Sequence, residues 1–124
     1  MKPLAFAFLL LGTISVVIGM GWGIQMSATA DHTLSPAHAH LNLLGWVTMA
    51  LFAFFYQLVP GADQGLLPKL HFASAALGLV IIIPGIVMAV KQTGETMAKL
   101  GSVLTLLSMV LFLVVVLTKG RKSA

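Results

Sequence analysis

The sequence predicts an all-α integral membrane protein with four transmembrane helices, arranged as an antiparallel up-and-down bundle or arc. Three observations predict this fold class. Hydrophobic residues make up 59% of the 124 residues, and the mean hydropathy is +1.05. Only 8% of the residues are charged, whereas soluble domains carry about 25%. The apolar residues form four long segments, and the charges lie at chain ends or close to segment boundaries.

A single domain over residues 1–124 contains the apolar segments 4–23, 37–59, 70–90 and 97–118. An α-helix rises about 1.5 Å per residue, so each segment can cross a hydrocarbon core of roughly 30 Å. Turn-forming pairs separate the segments, namely Ser35-Pro36, Pro60-Gly61 and Thr93-Gly94. Because the second and third connections are short, the helices that they join are expected to be antiparallel neighbours.

The distribution of Lys and Arg predicts that both termini are cytoplasmic, in a bacterial inner (plasma) membrane. With this orientation the outer surface carries only Lys91 and Lys99. The inner surface carries the other five cations, which are Lys2, Lys69, Lys119, Arg121 and Lys122. A competing interpretation is that residues 1–30 are a signal peptide, since Lys2, an apolar stretch and Ala28-Thr29-Ala30 resemble its three regions.

The composition excludes several classes of partner and cofactor. The net charge of +4 reflects the small number of carboxylates, and no basic stripe is present, so a nucleic-acid partner is not expected. The absence of cysteine excludes disulfides, thiolate zinc sites, covalently attached c-type haem and iron–sulfur clusters. Any metal must therefore be held by histidine, methionine or oxygen ligands, and the chain has four histidines.

His38 and His40, at the start of the second segment, are the principal candidate ligands. Polar groups in a membrane segment are costly, and two histidines so close together predict metal or haem binding. Residues two apart on a helix are separated by about 200°, so these side chains should serve two sites, one on each flank of the helix. Two imidazoles per iron match six-coordinate haem b, and the second imidazole would come from another copy in a closed ring. Gly45 could leave room beside the porphyrin and Trp46 could pack on it.

The sequence predicts that the other two histidines are not ligands. His71 stands next to Lys69 at the start of the third segment, which favours an interfacial histidine near the inner surface over a second metal site. His32 is expected to be a loop histidine. Gly19 and Gly23 form a small-xxx-small pair that favours close helix packing over ligand contact. Pro84-Gly85 predicts a kink in the third helix.

The stretch His-Ala-His-Leu-Asn-Leu-Leu-Gly-Trp at residues 38–46 resembles the catalytic subunit of the haem-copper oxidase superfamily, which includes cytochrome c oxidases and nitric oxide reductases. The similarity continues to Pro60 and so covers about a fifth of the 124 residues. The family subunit has three arcs of four helices each, and this chain is similar to one arc. The resemblance implies that His38 and His40 ligate two different haems, and that three copies of the chain form a homotrimer.

The chain departs from the family pattern at several points. The sequence shows no three further membrane histidines for a copper centre, no His-Tyr pair and no adjacent arginines for the haem propionates. No complete oxygen- or nitric oxide-reducing site is visible, so the sequence favours an electron-transfer cytochrome or a haem-linked redox role and leaves enzymatic activity open. Lys91 and Lys99 are the cations available to the propionates. The electron donor and acceptor are unidentified, and a membrane quinone is one candidate.

Two alternatives remain open at this stage. The chain could be a haem-free copper- or zinc-binding membrane protein for metal handling or oxidase assembly, using His32, His38 and His40 with Met26 or Asp31. It could also be a structural membrane subunit whose histidines form only hydrogen bonds between helices. Whether Met26, Met49 or His32 replaces a histidine as axial ligand is likewise open.

Overall fold

The computed structural model describes residues 1–121, and all of the regular secondary structure in them is helical. Within these residues, four helices are long and apolar enough to cross a membrane, which confirms the predicted number of spans. They are α1 (Pro3–Thr29), α2 (Ser35–Leu58), α3 (Leu66–Val90) and α4 (Thr96–Lys119). The predicted inner cation Lys122 lies outside the described residues.

Two helix boundaries differ from those expected from hydropathy. α1 continues past Gly23 to Thr29 through a segment that alternates apolar and polar residues, and it ends where Ala30 takes a left-handed conformation with φ 54°. α3 begins at Leu66 instead of Leu70 and has Pro68 in its first turn. Proline is tolerated there because the first N–H groups of a helix have no intrahelical acceptor. The apolar runs therefore understate the lengths of these two hydrogen-bonded helices.

The helices follow one another in an arc. α1 packs along α2, and α3 packs along α4, with a smaller contact between α2 and α3 and a minor one between α1 and α3. Within residues 1–121, the backbone of α4 lies close only to that of α3. The side chain of Phe112 on α4 nevertheless reaches Phe52 on α2, with ring centroids 4.6 Å apart.

Glycines allow the close packing of α3 on α4. A Cβ atom added to Gly85 would lie 2.5 Å from the backbone nitrogen of Ala98, and one added to Gly101 would lie 2.6 Å from the Cα of Ile82. The α-helix continues through Pro84 without a break. The role that the structure gives to Gly85 is therefore close approach to α4, and the predicted kink at Pro84-Gly85 stays a prediction.

Lys2 and Lys119, near the two ends of the described residues, both contact the connection between α2 and α3. The Nζ of Lys2 lies 3.8 Å from a carboxylate oxygen of Asp63, and its backbone N–H donates to the side-chain carbonyl of Gln57 at 2.9 Å. The Nζ of Lys119 donates to the carbonyl oxygens of Ala62 and Gln64. We call this the terminal end of the bundle, and the end that contains the connections α1–α2 and α3–α4 the loop end.

Candidate functional site

A π-helical segment, Leu41–Val47, interrupts the α-helical hydrogen bonding of α2 immediately after His40. The hydroxyl of Thr48 donates to the carbonyl of Leu43, five residues earlier, at 2.8 Å. Single π turns within α-helices are often found at functional sites. The segment overlaps the motif at residues 38–46 but begins after both histidines, and nothing in its composition predicts a π turn, because it contains no proline and a single glycine.

His38 faces α1 and is half-buried. Its Nε2 lies 2.9 Å from the carbonyl oxygen of Gly19, and because a carbonyl only accepts, the imidazole must donate from Nε2. The amide nitrogen of Asn42 lies 3.4 Å from the same Nε2. A Cβ added to Gly23 would lie 3.1 Å from His38 Nε2, and one added to Gly19 would lie 1.8 Å from Asn42 Oδ1. The two glycines therefore make room for two polar side chains of α2.

His40 lies on the exposed face of α2. Its Nδ1 is 2.7 Å from the carbonyl oxygen of Pro36, one helical turn earlier, so Nδ1 is the donor. In a neutral imidazole this leaves Nε2 unprotonated, with its lone pair available. A hydrogen bond from the second ring nitrogen to a backbone carbonyl is the arrangement that orients many metal-ligating histidines. His38 and His40 thus share no partner and differ in which nitrogen is free.

Gly45 and Trp46 lie in the contact between α1 and α2. Gly45 is buried, and a Cβ added there would lie 2.8 Å from the Cβ of Ser15. Trp46 is half-buried and lies 3.4 Å from the position of a Cβ on Gly12. The space beside Gly45, expected to accommodate a porphyrin, is filled by α1 within the single chain.

The cations expected near haem propionates are exposed at the loop end. Lys99 lies 3.5 Å from the carboxylate of Glu95, one turn earlier on the same helix, and both side chains are more than 70% exposed. Lys91 follows the last residue of α3. In the neighbouring connection, the Thr33 hydroxyl and backbone N–H donate to Asp31 and lower the pKa of its carboxyl.

The interfacial role that the sequence favoured for His71 stays a prediction, but the side chain is not on the outside of the bundle. It is fully buried, and its Nδ1 lies 2.8 Å from the hydroxyl of Tyr56 on α2. The rings of Phe8, Phe52 and Phe112 surround it, with centroids 5.0, 4.4 and 5.2 Å from that of His71. Although the sequence shows no His-Tyr pair, the fold brings one together in an aromatic core.

The ε nitrogen of His71 is buried and has no hydrogen-bond partner among the described residues. The sequence contains a weak signal for the pairing with Tyr56. Tyr56 lies two residues before the end of α2 and His71 five residues after the start of α3, so an antiparallel pair brings the two within about one turn of each other. Proximity of the imidazole and the phenol follows from this spacing, whereas their enclosure by rings from α1 and α4 does not.

Among residues 1–121, no three His, Asp or Glu side chains come close enough to hold a metal ion. His32 is exposed in the α1–α2 connection and does not join His38 and His40 in such a group. No protein-family model, curated protein or solved structure matches the chain.

Proposed function

We propose that the chain is a b-type haem-binding membrane protein that transfers electrons, with His38 and His40 as axial ligands contributed by neighbouring copies of a homotrimer. The observation that carries the proposal is the state of His40. Its imidazole is exposed on a membrane helix and oriented by the Pro36 carbonyl, with Nε2 free to bind.

The surroundings of His40 favour a buried partner over bulk lipid. The side chains that follow it on the same face of α2 are exposed and apolar, with Leu43 at 59%, Val47 at 45% and Leu51 at 61%. A single polar ring on such a face is costly unless something binds it. A haem bound between two copies would cover this apolar face with its edge and would also take the His40 imidazole as a ligand.

His40 can bind the iron of haem b as it stands, whereas His38 must first exchange its hydrogen bond for the iron. His38 must release the Gly19 carbonyl before its Nε2 can bind iron. A bis-imidazole haem b supplies reversible one-electron transfer without an open coordination position. The protein's own contribution is to orient His40 through Pro36 and to hold the histidines on opposite flanks of α2, so that a closed ring repeats the same interface.

The finer parts of the proposal follow from the sequence. Five of seven cations favour cytoplasmic termini in a bacterial inner membrane. The contacts of Lys2 and Lys119 with the α2–α3 connection support a common side for both termini. The resemblance to one oxidase arc supports three copies and one haem per chain, with a quinone as one candidate electron partner.

The test is an absorption spectrum of the purified protein in detergent, with haem typing as the pyridine haemochrome. We expect a Soret band and one haem b per chain. His40→Ala should lose most of the band because one axial ligand is removed from every interface. His32→Ala is the matched control, since His32 is an exposed histidine outside the spans.

Full haem content in both His38→Ala and His40→Ala would contradict the proposal. A colourless protein that carries stoichiometric copper or zinc would also contradict it, and would favour the haem-free metal-binding alternative. Native mass spectrometry gives the copy number, and a haem-loaded monomer would contradict ligation between neighbouring copies.

A further inference from the structure

An apolar groove runs between α1 and α3 on the outside of the bundle. Its walls are Leu11, Ile14 and Ile18 on α1 and Leu79, Val80 and Ile83 on α3. The groove has about 310 Å³ of free volume, and the two helices make only a minor contact with each other here. Ile14 is 49% exposed and Val80 is 63% exposed, so the groove opens to the membrane.

A second cleft lies at the terminal end, between the start of α1 on one side and the α2–α3 connection and first turn of α3 on the other. Leu4 and Ala7 of α1 form one wall, and Gln64 and Lys69 form the other. Asp63 also lines this cleft, and its carboxylate lies 3.8 Å from Lys2 Nζ. Lys69 is exposed and, among residues 1–121, has no carboxylate within 4.0 Å.

The cleft and the groove share one face of each helix. Ala7, Leu11, Ile14 and Ile18 follow the three- and four-residue spacing of a single helical face. Lys69 and Val80 are eleven positions apart, which is three turns or roughly 16 Å along α3. Such a surface offers a cation at the terminal end and, three turns further along α3, an apolar groove.

We infer that this surface binds one anionic phospholipid, with its phosphate at Lys69 and one acyl chain between α1 and α3. The excess of positive charge at the terminal end favours an anionic lipid headgroup. The described residues there include four cations, Lys2, Lys69, Lys119 and Arg121, and one carboxylate, Asp63. A zwitterionic headgroup would add its own cation to this excess, whereas an anionic one offsets it. The inference does not depend on haem.

Native mass spectrometry of delipidated protein, titrated with phosphatidylglycerol or phosphatidylcholine of the same acyl chains, tests the headgroup. A lysine at a membrane surface contributes about fivefold in affinity for an anionic lipid. We expect the first phosphatidylglycerol to bind at least that much more tightly than phosphatidylcholine, and Lys69→Gln to remove the difference. Lys99→Gln, an exposed lysine at the loop end, should retain it.

Equal affinity for the two lipids in the wild-type protein would overturn the inference. An unchanged preference in Lys69→Gln, or an equal loss in Lys99→Gln, would also overturn it, because the selectivity would then reflect net charge alone.

Variants that fill the groove test the inference that an acyl chain lies between α1 and α3. Ile14→Trp should lower phosphatidylglycerol occupancy severalfold, whereas Leu106→Trp, on an exposed position of α4, should leave it unchanged. Because the chain has no cysteine, Ile14→Cys can be oxidised without competing thiols. Efficient disulfide-linked dimers of that variant would show that a second copy occupies the groove, and would overturn the assignment to lipid.

Discussion

At the terminal end of the bundle, aromatic rings enclose His71. At the loop end, His38 lies beside glycines of α1, and His40 lies on an exposed face of α2. His71 is 0% exposed, and its Nδ1 is paired with a phenol. His40 has an outward ring with one nitrogen engaged and the other free. The difference separates a histidine that completes a core from one available to a ligand, and residue type alone does not distinguish them.

The largest expected effect is that of His71→Ala on stability. The change leaves a cavity among Phe8, Phe52 and Phe112 and removes the partner of Tyr56, so we expect a loss of about 2–4 kcal/mol in the free energy of unfolding. Unfolding in a dodecyl sulfate titration measures it, with His32→Ala as the exposed control. If the chain binds haem as proposed, the folded fraction should keep the haem spectrum. A stable variant that has lost the spectrum would instead assign His71 to the cofactor.

Gly19→Ala, at the loop end, should give the next largest loss of stability. The added Cβ would lie 1.8 Å from Asn42 Oδ1, so Asn42 must move and the contact between Gly19 and His38 must change. Overpacking of this kind costs roughly 1–3 kcal/mol. Gly21→Ala is the matched control, since nothing lies within 4 Å of its added Cβ. Equal stabilities of the two variants, measured by thermal unfolding in the same detergent, would show that the α1–α2 contact is looser than described.

Tyr56→Phe isolates the hydrogen bond at the terminal end. The ring and its packing on Phe8 remain, and only the hydroxyl that meets His71 Nδ1 is lost. Removing one such hydrogen bond costs about 1 kcal/mol. A double-mutant cycle with His71→Ala measures the coupling. A coupling near zero would mean that the pair contributes through ring packing alone.

Lys99→Gln should have the smallest effect. Its ion pair with Glu95 is exposed, so we expect a stability change below about 0.5 kcal/mol. A redox titration of the same variant and of Lys91→Gln tests the propionate assignment. If either lysine lies beside a propionate, its loss should lower the haem midpoint potential, because removal of a positive charge favours the more positive oxidised iron. Unchanged potentials in both variants would reject that pairing.

The sequence predicted the parts of the fold that depend on hydropathy and spacing. Four spans follow from four apolar segments, and the shared side of Lys2 and Lys119 follows from the even number of helices between them. The different surroundings of His38 and His40 follow from their two-residue spacing.

The remaining features depend on contacts between distant residues. His71 is buried because Phe8, Phe52 and Phe112, from three helices, converge on it, and no local pattern contains that information. The helical extensions beyond Gly23 and before Leu70 mix apolar residues with polar residues or proline, so the uninterrupted apolar runs stop short of them. Gly45 was expected to leave space for a ligand, but the partner helix α1 fills that space through Ser15.

The π-helical turn after His40 also determines how the two parts of α2 are rotated relative to each other about the helix axis. The histidines stand on one side of the Leu41–Val47 segment, and the residues that enclose His71, Phe52 and Tyr56, stand on the other. The wide turn accommodates one residue more than an α-helical turn, because its hydrogen bonds span five residues instead of four. Deleting one residue from the segment should therefore restore α-helical hydrogen bonding, with His38 still facing Gly19 and Tyr56 still facing His71. Deleting one residue from a regular stretch of α2 would instead turn one part of the helix by about 100° relative to the other. The π turn is thus the place in α2 where the chain can change length without misaligning the two sets of contacts.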